Sequence, residues 1–172
     1  QTPVVEIQGL SKHYGEFVAL DNLSLSLDRG SILGFIGPNG AGKTTTIRIL
    51  VGLSRPTSGG ARIAGADCIR DVAKVRWLVG YMPDKFGSYD NMRVHEYLDF
   101  FARAYGLVGR ERLRAIGEVM EFTMLDTLAH KSIDALSKGM KQRLCLGRTM
   151  IHNPSVLILD EPAAGLDPRA RI

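Results

Sequence analysis

The residues best suited to chemistry lie between Gly37 and Thr44. They match the pattern G-x-x-x-x-G-K, followed by Ser or Thr, at every fixed position. Glycines accept positive φ and lack a Cβ atom, so backbone N–H groups in such a loop can turn toward one anion. Lys43 adds a positive charge for the β and γ phosphates of a nucleoside triphosphate, and the Thr44 hydroxyl suits Mg²⁺. The spacing therefore predicts a triphosphate site with a bound magnesium ion.

The segments on either side of this loop are those that a phosphate site requires. Residues 31–36 form a short apolar run, which predicts a buried strand. Ile47, Leu50 and Val51 recur at helical spacing, which predicts a helix that begins at the loop. The N-terminus of a helix adds the positive end of its dipole to an anion site. The alternative is a glycine-rich turn that matches by chance, and the order strand, loop, helix argues against it.

Two acidic residues follow the apolar run at residues 156–159. Four consecutive apolar residues predict a strand with both faces buried, as in a parallel sheet. Ligands of open α/β sheets bind beyond the carboxyl ends of the strands, so Asp160 and Glu161 should face the phosphate loop. Asp160 then suits Mg²⁺, directly or through water, and Glu161 suits the group that polarises an attacking water. The alternative is a strand that ends in an ordinary capped turn.

Composition describes a globular chain of ordinary domain size. The 172 residues are 45% hydrophobic and 23% charged, as in soluble proteins. No apolar run reaches the roughly 20 residues that cross a bilayer, and no secretory signal opens the chain. Cys68 and Cys145 are far apart in the sequence, which predicts reduced thiols in a cytosolic protein. The net charge of +4 is scattered along the chain, which argues against nucleic-acid binding.

The pattern changes from strands to helices along the chain. Residues 4–8, 17–20 and 23–27 predict an N-terminal antiparallel β segment, with Tyr14 on the connection between the first two. The Tyr14 ring could stack on an adenine, and the alternative is an exposed tyrosine without a ligand. Residues 61–64 and 77–82 predict further strands. The sequence then predicts three helices, which form a helical subdomain over about residues 85–153: 94–106, 110–122 and 139–152.

The stretch from Leu136 to Arg143 carries the most specific resemblance in the chain. It is similar to the signature Leu-Ser-Gly-Gly-Gln of the ATP-binding cassette of ABC transporters, and the similarity covers essentially the whole sequence. Ser137 stands where an N-cap belongs, and Gly139 leaves the first turn bare, so a second helix N-terminus can hold phosphate. In the family this helix holds the γ-phosphate of ATP bound to the opposite subunit.

The resemblance implies a fold, cofactors and partners. The fold is α/β, with a P-loop NTPase core, an N-terminal antiparallel β segment, a mostly parallel sheet and a helical subdomain. The cofactors are ATP and Mg²⁺. The partners are a second ATP-binding cassette, in a head-to-tail dimer, and a transmembrane permease subunit that holds the chain on the inner, cytoplasmic face of the membrane. ATP binding would clamp two cassettes together, and hydrolysis by in-line attack of water on the γ-phosphate would release them.

The resemblance also assigns roles to individual residues. Glu161 is the catalytic residue. The Mg²⁺ ligands are Thr44, Asp84 and Asp160. The ATP-binding residues of the phosphate loop, the adenine platform and the signature are Tyr14, Gly37, Asn39, Gly40, Ala41, Gly42, Lys43, Thr44, Thr45, Ser137 and Gly139.

Three features depart from the family pattern. Asp84 stands where the family has a glutamine, so an anion replaces a neutral ligand. Lys138 and Met140 replace a glycine and a glutamine of the signature. The chain stops at Ile172, before the family's switch histidine. We therefore expect residues 1–172 to be one cassette that lacks its C-terminal part and hydrolyses ATP weakly or not at all on its own.

Two other functions fit part of the sequence. A soluble ABC-type ATPase acting on ribosomes or DNA would carry extra domains or a long coiled-coil insertion, and the compact helical insert favours the transporter. A nucleotide-sensing module without turnover is opposed by Glu161 and favoured by the missing C-terminal segment. Residues 97–101 and 165–168 further resemble cassettes of ABC-2-type exporters.

Overall fold

The structure is a computed structural model that describes residues 2–38, 40–84, 87 and 91–160. The chain divides into two compact units, Gln1–Val79 and Gly80–Ile172. The first unit contains, in order, β1 (Val5–Tyr14), β2 (Phe17–Leu27), α1 (Lys43–Leu50), β3 (Ser58–Ile63), β4 (Ala66–Asp67) and α2 (Val72–Leu78). β5 (Val79–Met82) starts at the boundary. The second unit continues with α3 (Val94–Ala104), α4 (Gly109–Phe122), two short 3-10 helices (Asp126–Leu128 and Ile133–Ala135), α5 (Lys138–Met150) and β6 (Val156–Leu159).

The N-terminal sheet is antiparallel at every pairing, with the strand order β2-β1-β3-β4. β1 lies inside this sheet, and its residue Val5 faces Leu27 of β2 on one side and Ile63 of β3 on the other. The predicted antiparallel segment is confirmed. The predicted strands at 17–20 and 23–27 are one continuous strand. β1 extends through Tyr14, where Tyr14 pairs with Phe17 of β2, although the register between the two strands shifts three times.

The strand predicted immediately before the phosphate loop is not formed. Residues 31–38 are neither helix nor strand, and Ile32 and Ile36 are 99% and 97% exposed. A buried strand needs a hydrogen-bonding neighbour and a layer over each face. Within the described ranges the edge strands of the first sheet are β2 and β4, and β5 and β6 pair with each other. None of these strands forms a ladder with residues 31–36. The sequence-based prediction of a buried strand is therefore wrong for these residues.

β5 and β6 form a separate two-stranded sheet. The Asp160 amide donates to the Met82 carbonyl over 2.8 Å, so the ends of the two strands are joined. The strand predicted at 77–82 begins only at Val79, because the helix α2 runs through Leu78. The junction places the segment after Met82 beside the acidic end of β6.

β6 occupies the predicted positions 156–159, but its two faces differ in burial. Val156 is buried, whereas Leu157 and Leu159 are 45% and 37% exposed. The prediction that both faces are buried is therefore wrong. Within the described part of the chain, β6 pairs with the short strand β5.

Helices α3, α4 and α5 pack around one apolar core in the second unit. Tyr97 and Leu98 of α3, Val119 of α4 and Leu144 of α5 are buried in it. A Cβ atom on Gly147 of α5 would lie 2.7 Å from a Val119 methyl group, so the glycine permits the close approach of α4. The three predicted helices are confirmed. No helix in the described ranges is long and apolar enough to cross a membrane.

Both cysteines are free thiols, as the sequence predicted, and both are buried. Burial raises the pKa of Cys68 to about 12, and the negative charge of the neighbouring Asp67 adds to the rise. Burial also raises the pKa of Cys145. Asp67 itself accepts hydrogen bonds from the amides of Arg70 and Ile69 over 3.0 and 2.8 Å, and these bonds lower its pKa. The thiols therefore stay protonated and unreactive at neutral pH.

Candidate nucleotide-binding site

The phosphate loop leads directly into helix α1, as predicted. Gly42 occupies the N-cap position with φ 82° and ψ 1°, a left-handed conformation that favours glycine. No side chain caps this terminus, and its first turn contains no acidic residue. The first intrahelical hydrogen bond runs from the Thr46 amide to the Gly42 carbonyl over 2.9 Å. The helix N–H groups ahead of it have no acceptor within the helix, so they can donate to an anion, where the helix dipole also favours negative charge.

Gly42 and Gly40 meet different requirements. A Cβ atom on Gly42 would lie 2.7 Å from the Ala19 carbonyl oxygen and 3.2 Å from Leu20 Cδ1, both on β2. Gly40 has φ 86°, yet a Cβ atom there would meet nothing within 4 Å. Gly42 is therefore needed for its conformation and for close packing on the sheet, whereas Gly40 is needed for its conformation alone.

The side chain of Lys43 is held within the loop. Its Nζ atom donates to the carbonyl oxygens of Gly37 and Pro38, the second over 2.9 Å. The ammonium group thus lies beside the glycine-rich backbone, and its predicted role as a phosphate ligand stays a prediction. Because the loop gathers a cation and helix N–H groups in one place, it fits the phosphates of a nucleotide.

Other predicted residues of the loop lie around this point. Thr44 and Ala41 are exposed, and Thr45 is half-buried. Thr46, which the sequence did not single out, is buried, and its hydroxyl donates to the Gly42 carbonyl over 2.9 Å. Asn39 lies outside the described residues.

Tyr14 ends β1 with 51% of its side chain exposed. The sequence analysis placed it on a connection, and the structure places it opposite Phe17 at the start of β2. The same strand β2 carries Ala19, against which Gly42 packs. One strand therefore brings together the candidate adenine platform and the phosphate loop, within one unit.

The signature segment forms a second helix N-terminus. Ser137 is the N-cap of α5, and its hydroxyl oxygen accepts a hydrogen bond from the Met140 amide over 3.3 Å, as predicted. Gly139 lies in the first turn, which contains Lys138 and no acidic residue. Basic residues at this end oppose the helix dipole. A bound anion would offset that electrostatic cost.

The two predicted metal-binding aspartates belong to neighbouring strand ends. The Asp160 amide is bonded to Met82, and Asp84 follows two residues later and is exposed. Thr44, the third predicted ligand, belongs to the other unit. In the described part of the chain no group of three His, Cys, Asp or Glu residues is placed to hold a metal ion. Glu161 lies outside the described residues.

The sequence analysis gave no individual role to two basic residues near these elements. The Nζ atom of Lys12 lies 4.8 Å from the centroid of the Tyr14 ring. The guanidinium of Arg143 donates to the Thr123 and Met124 carbonyls at the end of α4, each over 3.4 Å. The proximity of Lys12 to Tyr14 could have been predicted from the sequence, because residues two positions apart on a strand share a face. The partners of Arg143 are distant in sequence and left no such signal.

The sequence profile of the ABC transporter family matches residues 20–164 of the chain. The chain belongs to the ABC transporter family. Among its relatives, the probable multidrug ABC transporter ATP-binding protein YbhF of Escherichia coli is 42% identical over 168 residues. Nod factor export ATP-binding protein I of Ralstonia nicotianae is 40% identical over 171 residues. The alignments include 98% and 99% of this chain but 29% and 53% of those two proteins.

Solved structures agree with this assignment. An ATP-binding subunit of an ABC transporter superposes with a TM-score of 0.85 at 32% identity, over 97% of this chain and 70% of that chain. CbiO1 of Clostridium perfringens, part of the ABC transporter complex cbiONQ, gives 0.86 at 25% identity, over 98% and 69% of the two chains. The predicted family and α/β fold class are confirmed, and these matches do not favour a ribosome- or DNA-associated ATPase.

Proposed function

We propose that this chain binds ATP with Mg²⁺ and forms the ATP-hydrolysing subunit of an ABC transporter. The observation that carries the proposal is the N-terminus of α1. There the left-handed Gly42 leaves the helix uncapped, and Lys43 Nζ lies beside the loop carbonyls. This arrangement offers donors and positive charge to a triphosphate and leaves no acidic side chain in the first turn to repel it.

The remaining residues have distinct proposed roles around the triphosphate. Tyr14 stacks on the adenine, and Thr45 assists the phosphate loop. Thr44, Asp84 and Asp160 supply hydroxyl and carboxylate oxygens, the donor types that Mg²⁺ prefers. When bound, Mg²⁺ would neutralise charge that develops on the phosphates during hydrolysis. In the proposed roles, Glu161 orients and polarises the attacking water, while the other loop residues bind phosphate: Gly37, Asn39, Gly40 and Ala41.

The signature helix suggests how two cassettes cooperate. Ser137 and Gly139 shape the uncrowded start of α5, which we assign to the γ-phosphate of ATP held by a second cassette in a head-to-tail dimer. We propose that residues 1–172 belong to one cassette, with a helical subdomain over about 85–153. A transmembrane permease subunit holds it on the cytoplasmic face of the membrane. The relatives named for multidrug transport and Nod factor export support an exporter.

A charge-matched pair of variants tests the phosphate site. Lys43→Ala removes the ammonium of the loop, whereas Lys74→Ala removes an exposed charge on α2 in the same unit. Isothermal titration with Mg-ATP should show a loss of binding of at least about tenfold for Lys43→Ala, since a charge-assisted contact is worth about 1.5–3 kcal/mol. Lys74→Ala should bind as the unaltered chain does. Equal affinities for the two variants would exclude the assigned role of Lys43.

A further inference from the structure

We propose that Lys12 is a positioning residue that holds the Tyr14 ring in place for the adenine of ATP. The inference rests on the proposed function. Lys12 Nζ lies 4.8 Å from the Tyr14 ring centroid, within the range of a cation–π contact. The two residues are separated by one position on β1, so their side chains leave the same face of the sheet.

The ammonium of Lys12 is fixed at a second point. It donates a hydrogen bond to the Arg55 carbonyl over 2.8 Å. Lys12 also lies opposite Leu20 in the β1–β2 register, and Leu20 is the residue whose Cδ1 atom would crowd a Cβ on Gly42. The lysine is therefore anchored by the main chain of another segment rather than held by the ring alone.

The segment that anchors Lys12 is itself tied to β1. The Thr57 amide donates to the Ser11 carbonyl over 2.8 Å, and the His13 amide donates to the Thr57 hydroxyl over 2.9 Å. With the Lys12–Arg55 bond, these contacts fasten residues 55–57 along the end of the strand that carries Tyr14.

Residues 55–57 also lie only a few positions after α1, the helix that begins at the phosphate loop. The Leu53 and Ser54 amides donate to the Arg48 carbonyl of α1 over 2.8 and 3.1 Å, and Gly52 turns the chain there with φ 72°. A short bonded path thus joins α1 to the Arg55 carbonyl, then to Lys12 and the Tyr14 ring. The path sets the place of the ring relative to the helix that binds the phosphates.

This arrangement leaves one side of the ring for a base. Lys12 occupies one face of Tyr14, and half of the tyrosine side chain is still exposed. A purine is the ligand class that stacks on the opposite face, because its flat π system matches the ring. Without the lysine, the ring would have to be ordered when the nucleotide binds, at a cost in affinity.

Binding of two probes to the full chain separates the base from the phosphates. We would titrate Mg-ATP and magnesium tripolyphosphate, which has the phosphates but no adenine, into Lys12→Met and the unaltered chain. Lys12→Met should weaken ATP binding about two- to fivefold relative to tripolyphosphate, as expected for an exposed cation–π contact. Lys12→Arg should restore the ratio, since guanidinium also stacks on aromatic rings. In a Tyr14→Ala background, Lys12→Met should leave the ratio unchanged.

Several outcomes would overturn the inference. An equal loss for both probes would show that Lys12 acts on phosphate through its charge. An unchanged ratio in Lys12→Met, with the unaltered chain preferring ATP, would refute the positioning role and leave the proposed function intact. If the unaltered chain binds ATP no more tightly than tripolyphosphate, adenine recognition fails, and the proposed function fails with it.

Discussion

Replacing Gly42 by alanine should destabilise the N-terminal unit more than the same change at Gly40. Both glycines have positive φ, 82° and 86°, so each alanine would be forced into a left-handed conformation. Only the new methyl group at position 42 would also meet the Ala19 carbonyl, at 2.7 Å. That carbonyl belongs to the backbone of β2, so it cannot turn aside as a side chain would.

The two effects have separable magnitudes. A left-handed conformation costs an ordinary residue about 1–2 kcal/mol, which is the whole expected cost of Gly40→Ala. Overpacking against a fixed neighbour adds about 1–3 kcal/mol for Gly42→Ala. The total for Gly42→Ala is therefore about 2–5 kcal/mol. At about 2–4 °C per kcal/mol for a chain of this size, the two variants should differ by roughly 2–12 °C in Tm.

Thermal unfolding followed by circular dichroism measures this difference, and a urea titration checks it at one temperature. Both variants carry the same chemical change in the same loop, so a shared effect on the phosphate site cancels. If Gly42→Ala proved as stable as Gly40→Ala, the loop would not pack on β2 as described. The start of α1 would then not lie in close contact with the Ala19 carbonyl.

Three further predictions follow from contacts in the fold. Ser137→Ala should lower the free energy of unfolding by about 0.5–2 kcal/mol, because it removes the cap of α5. Ser132→Ala, which removes a hydroxyl that makes no capping bond, should change it little in the same urea titration. Gly147→Ala should destabilise the fold by about 1–3 kcal/mol, because its methyl group would clash with α4. Gly117→Ala should stabilise it by about 0.5–1 kcal/mol, because Gly117 is exposed on α4 with open space around it. The opposite order in Tm would contradict the packing of α4 and α5. The pKa of Asp67 is lowered on folding, so its carboxylate stabilises the fold above the unfolded pKa of about 3.9, and this contribution is lost as pH falls through the folded pKa. Asp67→Asn should therefore reduce the acid dependence of stability below about pH 4. An unchanged pH profile would show that the hydrogen bonds from the Arg70 and Ile69 amides to Asp67 do not stabilise the fold.

Features that depend on neighbours in the sequence were predictable. The left-handed Gly42, the start of α1 at Lys43 and the Ser137 cap all follow from local rules about glycine and hydroxyl side chains. The helical spacing of apolar residues likewise predicted α3, α4 and α5, because each helix needs only one apolar face to pack. These local signals sufficed to predict the candidate phosphate loop, whereas the signature segment was identified by its resemblance to the ATP-binding cassette family.

Features that depend on distant partners were not predictable. Residues 31–36 have the composition of a buried strand, but composition cannot say which strand would accompany them. The exposed Leu157 and Leu159 show the same limit, since burial of a strand face is decided by another layer. The bond from Lys12 to Arg55 joins residues 43 positions apart, and no periodic pattern encodes it.

We expect the exposed run at residues 31–36 to promote association between molecules in solution. It is uncharged, rich in β-forming residues, and presents Ile32 and Ile36 almost fully to water. Such a segment is a template for pairing between molecules, which repulsion between like-charged chains holds back. With an isoelectric point near 9.2, the chain loses that repulsion as the buffer is made mildly alkaline. Concentrated samples should therefore stay clear longest on the acidic side of neutrality, and turbidity should rise toward pH 9.2.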